Sequence, residues 1–233
     1  MGMAGRHFVK FTFLKDDPAW RRLDTAERAR HKEEFAAACR DFGEDHFLRV
    51  YSTVGTRGDC DLLVRASAAS LDPIHELHVV LNQSGLLGWA QISHSFLALT
   101  KESVYSDEPT PLKPREGSER RYLIVYPMWK RRDWYMLPGE ERMRIMRGHI
   151  ETGRRHPSIE INTAYSFGID DQEFVVSFNA DDPGEFLDLV QELRGTESSS
   201  FTESETPIFT CISTSVERAL DALDGEHVTA HVT

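Results

Sequence analysis

Patterns of apolar residues spell the same order of elements twice in this chain, and few folds accept such a repeat. The first passage opens with "HFVKFTF", rich in β formers and interrupted by "DDPAW". "DTAERARHKEEFAAACRDF" follows as a helix capped by Asp24 and stopping at Gly43. "HFLRVYSTVG" and "CDLLVRAS" are two strands joined through the glycine-bearing turn "GTRGD". "SLDPIHELHVVLNQSGLLGW" is a helix with Pro73 in its first turn, and "QISHSFLALT" returns as a strand.

After the polar stretch "YSDEPTPLKPREGSER" the order recurs. "RYLIVYPMW" reads as a strand, and "LPGEERMRIMRGHIETG" as a helix with Pro138 near its start. "EINTAYSFG" and "QEFVVSFNA" are paired strands. "DDPGEFLDLVQELRG" is a helix with Asp182 as cap and Pro183 at its first position, and "TPIFTCI" is the closing strand. Each passage is a βαββαβ, ferredoxin-like unit. The expected class is therefore α+β, with two ferredoxin-like halves in one chain. Residues 1–105 form the N-terminal half, 106–120 a linker loop, 121–215 the C-terminal half and 216–233 a C-terminal tail. The copies share pattern and not letters. A sheet covered by helices on one face needs cover on the other, which stacking the two sheets supplies, and the space between sheet and helices can hold a ligand.

Composition narrows the function. With 40% hydrophobic and 28% charged residues the chain can build packed cores. A net charge of −11 argues against nucleic-acid binding, which needs a basic face to displace counterions. No run approaches the length of a membrane span, and "MGMAGRHFVKF" lacks the form of a secretory signal, so a cytoplasmic location is expected. The three cysteines, Cys39, Cys60 and Cys211, are far apart and fit reduced core thiols.

Two segments depart from core patterning. "YLIVYPMWKRRDWYMLP" concentrates Tyr126, Met128, Trp129, Lys130, Trp134 and Tyr135 at one strand end, where Pro127 should weaken regular pairing. Either these aromatics anchor the strand beneath snorkelling Lys130, Arg131 and Arg132, or they form the cationic mouth of a site for a flat anionic ligand. In the helix that follows, Met143, Met146, His149, Ile150 and Gly153 share a stripe. An inward imidazole needs a partner, since an unsatisfied one costs roughly 1–3 kcal/mol. A lone histidine is poor for zinc but sufficient for haem iron. His75 and His78, three apart on a helix, lack a third donor for a metal. His7, His46, His94 and His156 belong to no ligand constellation, and His227 and His231 lie in the tail.

"DPAWRRL", "GTRGDCDLLV", "YLIVYPMWKRRDWYMLP", "HIETGRRH" and "YSFGIDDQEFVVSFNADDP" together resemble the chlorite dismutase superfamily, most nearly its coproheme decarboxylase branch. The resemblance runs from His7 to about Ile212. It implies a dimeric α/β barrel of two ferredoxin-like halves, haem b or coproheme III in the C-terminal half, and a homopentamer. Carried over residue by residue, His149 heads the "HxxxGR" pattern as the proximal iron ligand. Tyr126 falls on the decarboxylase tyrosine, which carries a radical near a porphyrin propionate, and Lys130 on the lysine that assists it. Met128, Trp134 and Phe174 fall on pocket residues, and Ser199 on a serine that contacts a propionate.

The distal position, an arginine in active chlorite dismutases, falls on Ile161 counting back from "IDD" and on Asn162 counting forward from His149. Neither is arginine, which disfavours chlorite chemistry because the anion would lack its cationic partner. The resemblance thus implies peroxide-dependent decarboxylation of coproheme to haem b. Another haem peroxidase, a weak chlorite-decomposing enzyme and a non-catalytic haem carrier are the alternatives.

Overall fold

The computed structural model describes residues 5–103, 105 and 120–226. The expected linker, apart from residue 120, and the tail histidines His227 and His231 lie outside the described residues. The chain divides into two compact units, Met1–Leu97 with Cys211–Thr233, and Ala98–Thr210. The fold is mixed α+β, with antiparallel sheet and helices in both units.

Unit 1 contains β1 (Phe8–Asp16), α1 (Thr25–Asp45), β2 (Phe47–Ser52), β3 (Leu62–Ala68), α2 (Leu71–Gln83) and most of β4 (Ala90–Leu99). The strands lie in the order β4-β1-β3-β2, as a split βαβ unit requires. β1 pairs with β3 from Phe8↔Ala68 to Leu14↔Leu62, and β2 with β3 from Phe47↔Ser67 to Ser52↔Leu62. Asp24 caps α1 by accepting from the Glu27 N–H at 2.8 Å, as the sequence predicts. Gly43 does not stop the helix, which runs on to Asp45; a helical glycine costs only about 1 kcal/mol, and Phe42 is buried beside it.

The helix-facing side of this sheet carries Leu14, Val50, Leu62, Val64, Ala66 and Ala68 against Phe35, Cys39, Ile74, Leu77 and Leu81. Residues 216–233, expected as a tail, contain a helix, α6 (Val216–Asp224). Ser215 caps it, Gly225 ends it in the left-handed conformation, and Ala219, Leu220 and Leu223 join the core of unit 1. The apolar stripe at three- and four-residue spacing is the reason.

Unit 2 contains β5 (Tyr122–Lys130), α3 (Arg132–Met136), α4 (Gly139–Arg154), β6 (Glu160–Tyr165), β7 (Phe174–Ala180), α5 (Pro183–Arg194), a 3₁₀ turn (Glu197–Phe201) and β8 (Thr202–Ser204). The unit boundary falls inside β9 (Phe209–Ser213). Strand order is β6-β7-β5-β8. β5 pairs with β7 without interruption from Tyr122↔Ala180 to Met128↔Phe174, straight through Pro127↔Val175. The expected weakening at Pro127 is absent from this ladder. Alternate residues of a strand donate to opposite neighbours, so a missing N–H disturbs at most one side.

Cys39, Cys60 and Cys211 are buried and free. Among the described residues no helix is long and apolar enough to cross a membrane.

Candidate functional site

The β5 to β7 register puts Tyr122, Ile124, Tyr126 and Met128 on one face of the unit 2 sheet with Phe174, Val176 and Phe178. Extended through β6, the same alternation adds Ile161 and Tyr165 to that face and turns Asn162 to the other. Of the two distal positions the sequence offers, only Ile161 therefore shares a face with Tyr126. Ile161 is 46% exposed, and its Cδ1 atom would lie 3.4 Å from a Cβ on Gly153 of α4. The glycine of the "HxxxGR" pattern thus faces this isoleucine at a distance that would also admit a methyl group.

Tyr126 is buried and packs against Phe178, ring centroids 5.8 Å apart with 27° between planes. Burial pushes its phenol well above the usual range, and the Glu205 carboxylate adds to the effect. Phe174 contacts Tyr165 and Phe167 at 5.4 and 5.0 Å.

Where β5 ends, Lys130 is fixed by several bonds. Its N–H donates to Glu173 Oε2 at 2.8 Å, and its Nζ donates to the Ser198 carbonyl at 3.1 Å and to Thr202 Oγ1 at 3.0 Å. The ammonium lies 5.3 Å from the ring centroid of Trp134, which is buried on α3 against Phe201 at 5.4 Å. Burial brings the lysine down to about 8, although Glu205 and Glu173 oppose this.

His149 reaches the same place from α4. Its Nδ1 lies 3.1 Å from Ser198 Oγ, and Ser198 is 1% exposed. Burial, with the Lys130 charge adding to it, lowers the imidazole to about 4, so it is neutral at physiological pH. The buried stripe of α4 is not the expected Met143, Met146 and His149. Its two buried residues are Ile145 and Thr152, four positions before and three after His149, while both methionines are only half-buried. A stripe one residue away from the expected one still carries the histidine, because steps of three and four converge on it.

Thr196 and Ser198 belong to the short connection after α5. Gly195 ends that helix, and Thr196 opens the 3₁₀ turn in extended conformation. Arg144 of α4 ties down the turn by binding Glu197 at 2.8 and 2.9 Å. Ser199, the serine singled out from sequence, is next to the contact; its N–H bonds the Thr196 carbonyl at 3.1 Å. Sequence reasoning missed Ser198. The run "ESSSF" offers three serines, and only the pitch of the turn decides which one reaches a histidine 49 positions away. The one available signal was that an inward imidazole needs a hydrogen-bond partner.

The structure thus brings His149, Lys130 and Trp134 together around Ser198, and sets Tyr126, Met128, Phe174 and Ile161 on one sheet face. It separates Asn162 from them.

A family profile described as Chlorite dismutase matches residues 28–214. A coproheme decarboxylase of Mycolicibacterium smegmatis is 28% identical over 177 residues, 75% of this chain and 76% of the relative. One from Thermus thermophilus is 32% identical over 176 residues, 69% of this chain and 68% of the relative. A solved structure described as a novel heme-binding protein from Thermus thermophilus superposes with a TM-score of 0.85 at 30% identity, covering 95% of each chain. A mutant chlorite dismutase from Candidatus Nitrospira defluvii superposes with a TM-score of 0.87 at 19% identity over 96% of this chain and 97% of that one, a likeness of fold.

Proposed function

The chain belongs to the chlorite dismutase family, and from that premise we propose that it binds an iron porphyrin and oxidatively decarboxylates it. The substrate is coproheme III, the oxidant hydrogen peroxide and the product haem b. In each of two rounds a propionic acid and one peroxide become a vinyl group, carbon dioxide and two waters, which balances atoms and electrons. The observation that carries this reading is the meeting of His149 and Lys130 on Ser198, beside the sheet face that carries Tyr126.

The residues present suit the group. A neutral imidazole tied at Nδ1 leaves Nε2 as an iron ligand. Met128, Phe174 and Trp134 offer apolar and aromatic contacts to the macrocycle. When bound, the iron supplies the redox chemistry that activates peroxide.

The chain's own residues do the rest. Tyr126, a phenol that is protonated at neutral pH and that burial raises further, can give up a hydrogen atom and regain one from the β-carbon of a propionate. Lys130 has three N–H groups, two of which are spent on Ser198 and Thr202. The third holds the substrate carboxylate. A lysine brought to about 8 remains mostly cationic at neutral pH yet can release a proton. Ser199 contacts a second propionate from the neighbouring turn position. Ile161 on the Tyr126 face favours this reaction over chlorite decomposition, which needs a cation there.

The test is to load the protein with ferric coproheme, add peroxide and follow the porphyrin by mass spectrometry. Two successive losses, each of carbon dioxide and two hydrogens, are expected. Tyr126→Phe binds the porphyrin and leaves it intact. Unchanged coproheme in the wild-type protein, with tight binding of haem b, would instead make this a carrier.

A further inference from the structure

We propose that Ser198 and Thr196 are positioning residues that lock His149 in one tautomer, with the proton on Nδ1 and the lone pair on Nε2. Three contacts in series carry this. Thr196 Oγ1 lies 2.7 Å from the Leu193 carbonyl oxygen, Thr196 Oγ1 lies 3.0 Å from Ser198 Oγ, and Ser198 Oγ lies 3.1 Å from His149 Nδ1.

The direction of every bond follows from the last acceptor. A peptide carbonyl only accepts, so the threonine hydroxyl must donate to it. That spends the single hydrogen of Thr196, and the 3.0 Å contact can then be a hydrogen bond only if Ser198 donates to Thr196. Ser198 in turn has no hydrogen left, so His149 Nδ1 must be the donor to Ser198 Oγ. Any other assignment leaves two oxygens, or an oxygen and a ring nitrogen, facing each other with no hydrogen between them. The reversed order, Thr196 donating to Ser198 and Ser198 to Nδ1, would leave Thr196 Oγ1 and the Leu193 carbonyl oxygen 2.7 Å apart with no hydrogen between them.

Ser198 is held in place to do this. Its carbonyl accepts from Lys130 Nζ at 3.1 Å, and the turn that carries it is bound to α4 through Glu197 and Arg144. The relay runs through hydroxyls to a peptide group, none of which takes up the proton, so His149 presents neutral imidazole at Nε2. That Nε2 then binds iron rests on the function proposed above; the hydrogen-bond direction does not.

The two can be tested apart. In the full-length ¹⁵N-labelled protein without porphyrin, at neutral pH, long-range ¹H–¹⁵N spectra read both ring nitrogens of His149, assigned by the loss of signal in His149→Gln. A protonated Nδ1 and an unprotonated Nε2 are expected, the reverse of the form that dominates in free histidine. Ser198→Ala moves the population to the Nε2-protonated form and Ser198→Thr restores the wild-type pattern. Thr196→Val shifts it part of the way. A wild-type His149 protonated at Nε2, or a Ser198→Ala spectrum identical to wild type, overturns the relay. Should Ser198→Ala fail to fold, the wild-type and Thr196→Val spectra still decide. Titration with ferric coproheme is the second arm, with affinity about ten-fold weaker in Ser198→Ala. Absence of porphyrin binding alongside the expected tautomer would remove the proposed function and leave the relay standing.

Discussion

Each unit carries a histidine on its long helix, His31 buried and His149 half-buried, and the two are held in different ways. In unit 1, His31 of α1 accepts at Nδ1 from the Trp20 indole N–H at 3.2 Å. Its ring is roofed by backbone, since a Cβ added to Gly85 would collide with Cδ2 and Nε2. In unit 2, Nδ1 of His149 meets Ser198 Oγ at 3.1 Å, and the proposed relay makes it the donor there. The surroundings differ in the same sense. Against His31 lie the fully buried Trp20 and the backbone of Gly85. Around His149 lie Lys130, Ser198 and Trp134. One topology therefore carries two histidines engaged at the same atom, Nδ1, and they differ in whether that atom accepts or is read to donate, and in the Gly85 backbone that covers Nε2 of His31.

The sharpest way to break the comparison is to delete both rings. His149→Ala should weaken ferric porphyrin binding by at least about 100-fold, or ~3 kcal/mol, because under the proposed function the iron loses its protein ligand, while thermal stability without porphyrin changes little. His31→Ala should leave porphyrin affinity alone and cost about 2–3 kcal/mol of stability, through a cavity and an unpaired Trp20 N–H. Paired absorbance titrations and denaturant unfolding curves measure both. Equal effects of the two substitutions on affinity would end the distinction.

A smaller effect separates the glycines. Gly85→Ala drives a methyl into the buried His31 ring and should destabilise unit 1 by about 1–3 kcal/mol. Gly153→Ala meets only Ile161 Cδ1, at 3.4 Å, and should be tolerated to within about 1 kcal/mol. Chemical denaturation of the two variants side by side checks this, and a Gly153→Ala penalty as large as that of Gly85→Ala would contradict it.

Unit 1 and unit 2 were not equally legible in the sequence. The doubled order of strands and helices could be read because apolar period and capping residues such as Asp24 and Asp182 act locally. α6 was missed because its stripe sits in a short stretch before the chain end, where the polar residues between look like a tail. At the site, His149, Lys130 and Tyr126 could be singled out from their surroundings in the sequence. The choice between Ile161 and Asn162 could not, because counting from the two sides gives answers one residue apart, and one residue exchanges the faces of a strand. Ser198 and Thr196 were invisible for another reason: hydroxyls in a polar run acquire meaning only when a turn aims them.

Acid should pull the two units apart, which gives the subtlest form of the comparison. His149 is lowered to about 4 by burial, and the Lys130 charge adds to it. A base whose pKa is depressed in the fold contributes stability that is present above its unfolded value near 6.5 and lost as pH falls through about 4. Asp16 in unit 1 is raised to about 6 by burial and by the neighbouring Asp61, with Arg21 opposing. Its contribution has the opposite sign: it is complete below about 4 and lost as pH rises through about 6. Between pH 6.5 and 4 unit 2 should therefore weaken, on the order of 1–3 kcal/mol, while Asp16 offsets the acid loss in unit 1. Hydrogen exchange followed by mass spectrometry, corrected for intrinsic rates, should show protection falling in peptides from α4 to β7 before those from α1 to β3. His149→Gln should flatten the first response and Asp16→Asn should remove the offset in the second. If His149 instead titrates near 6.5, the imidazole is not buried beside the lysine as described, and the contrast between an open and a closed histidine loses its electrostatic half.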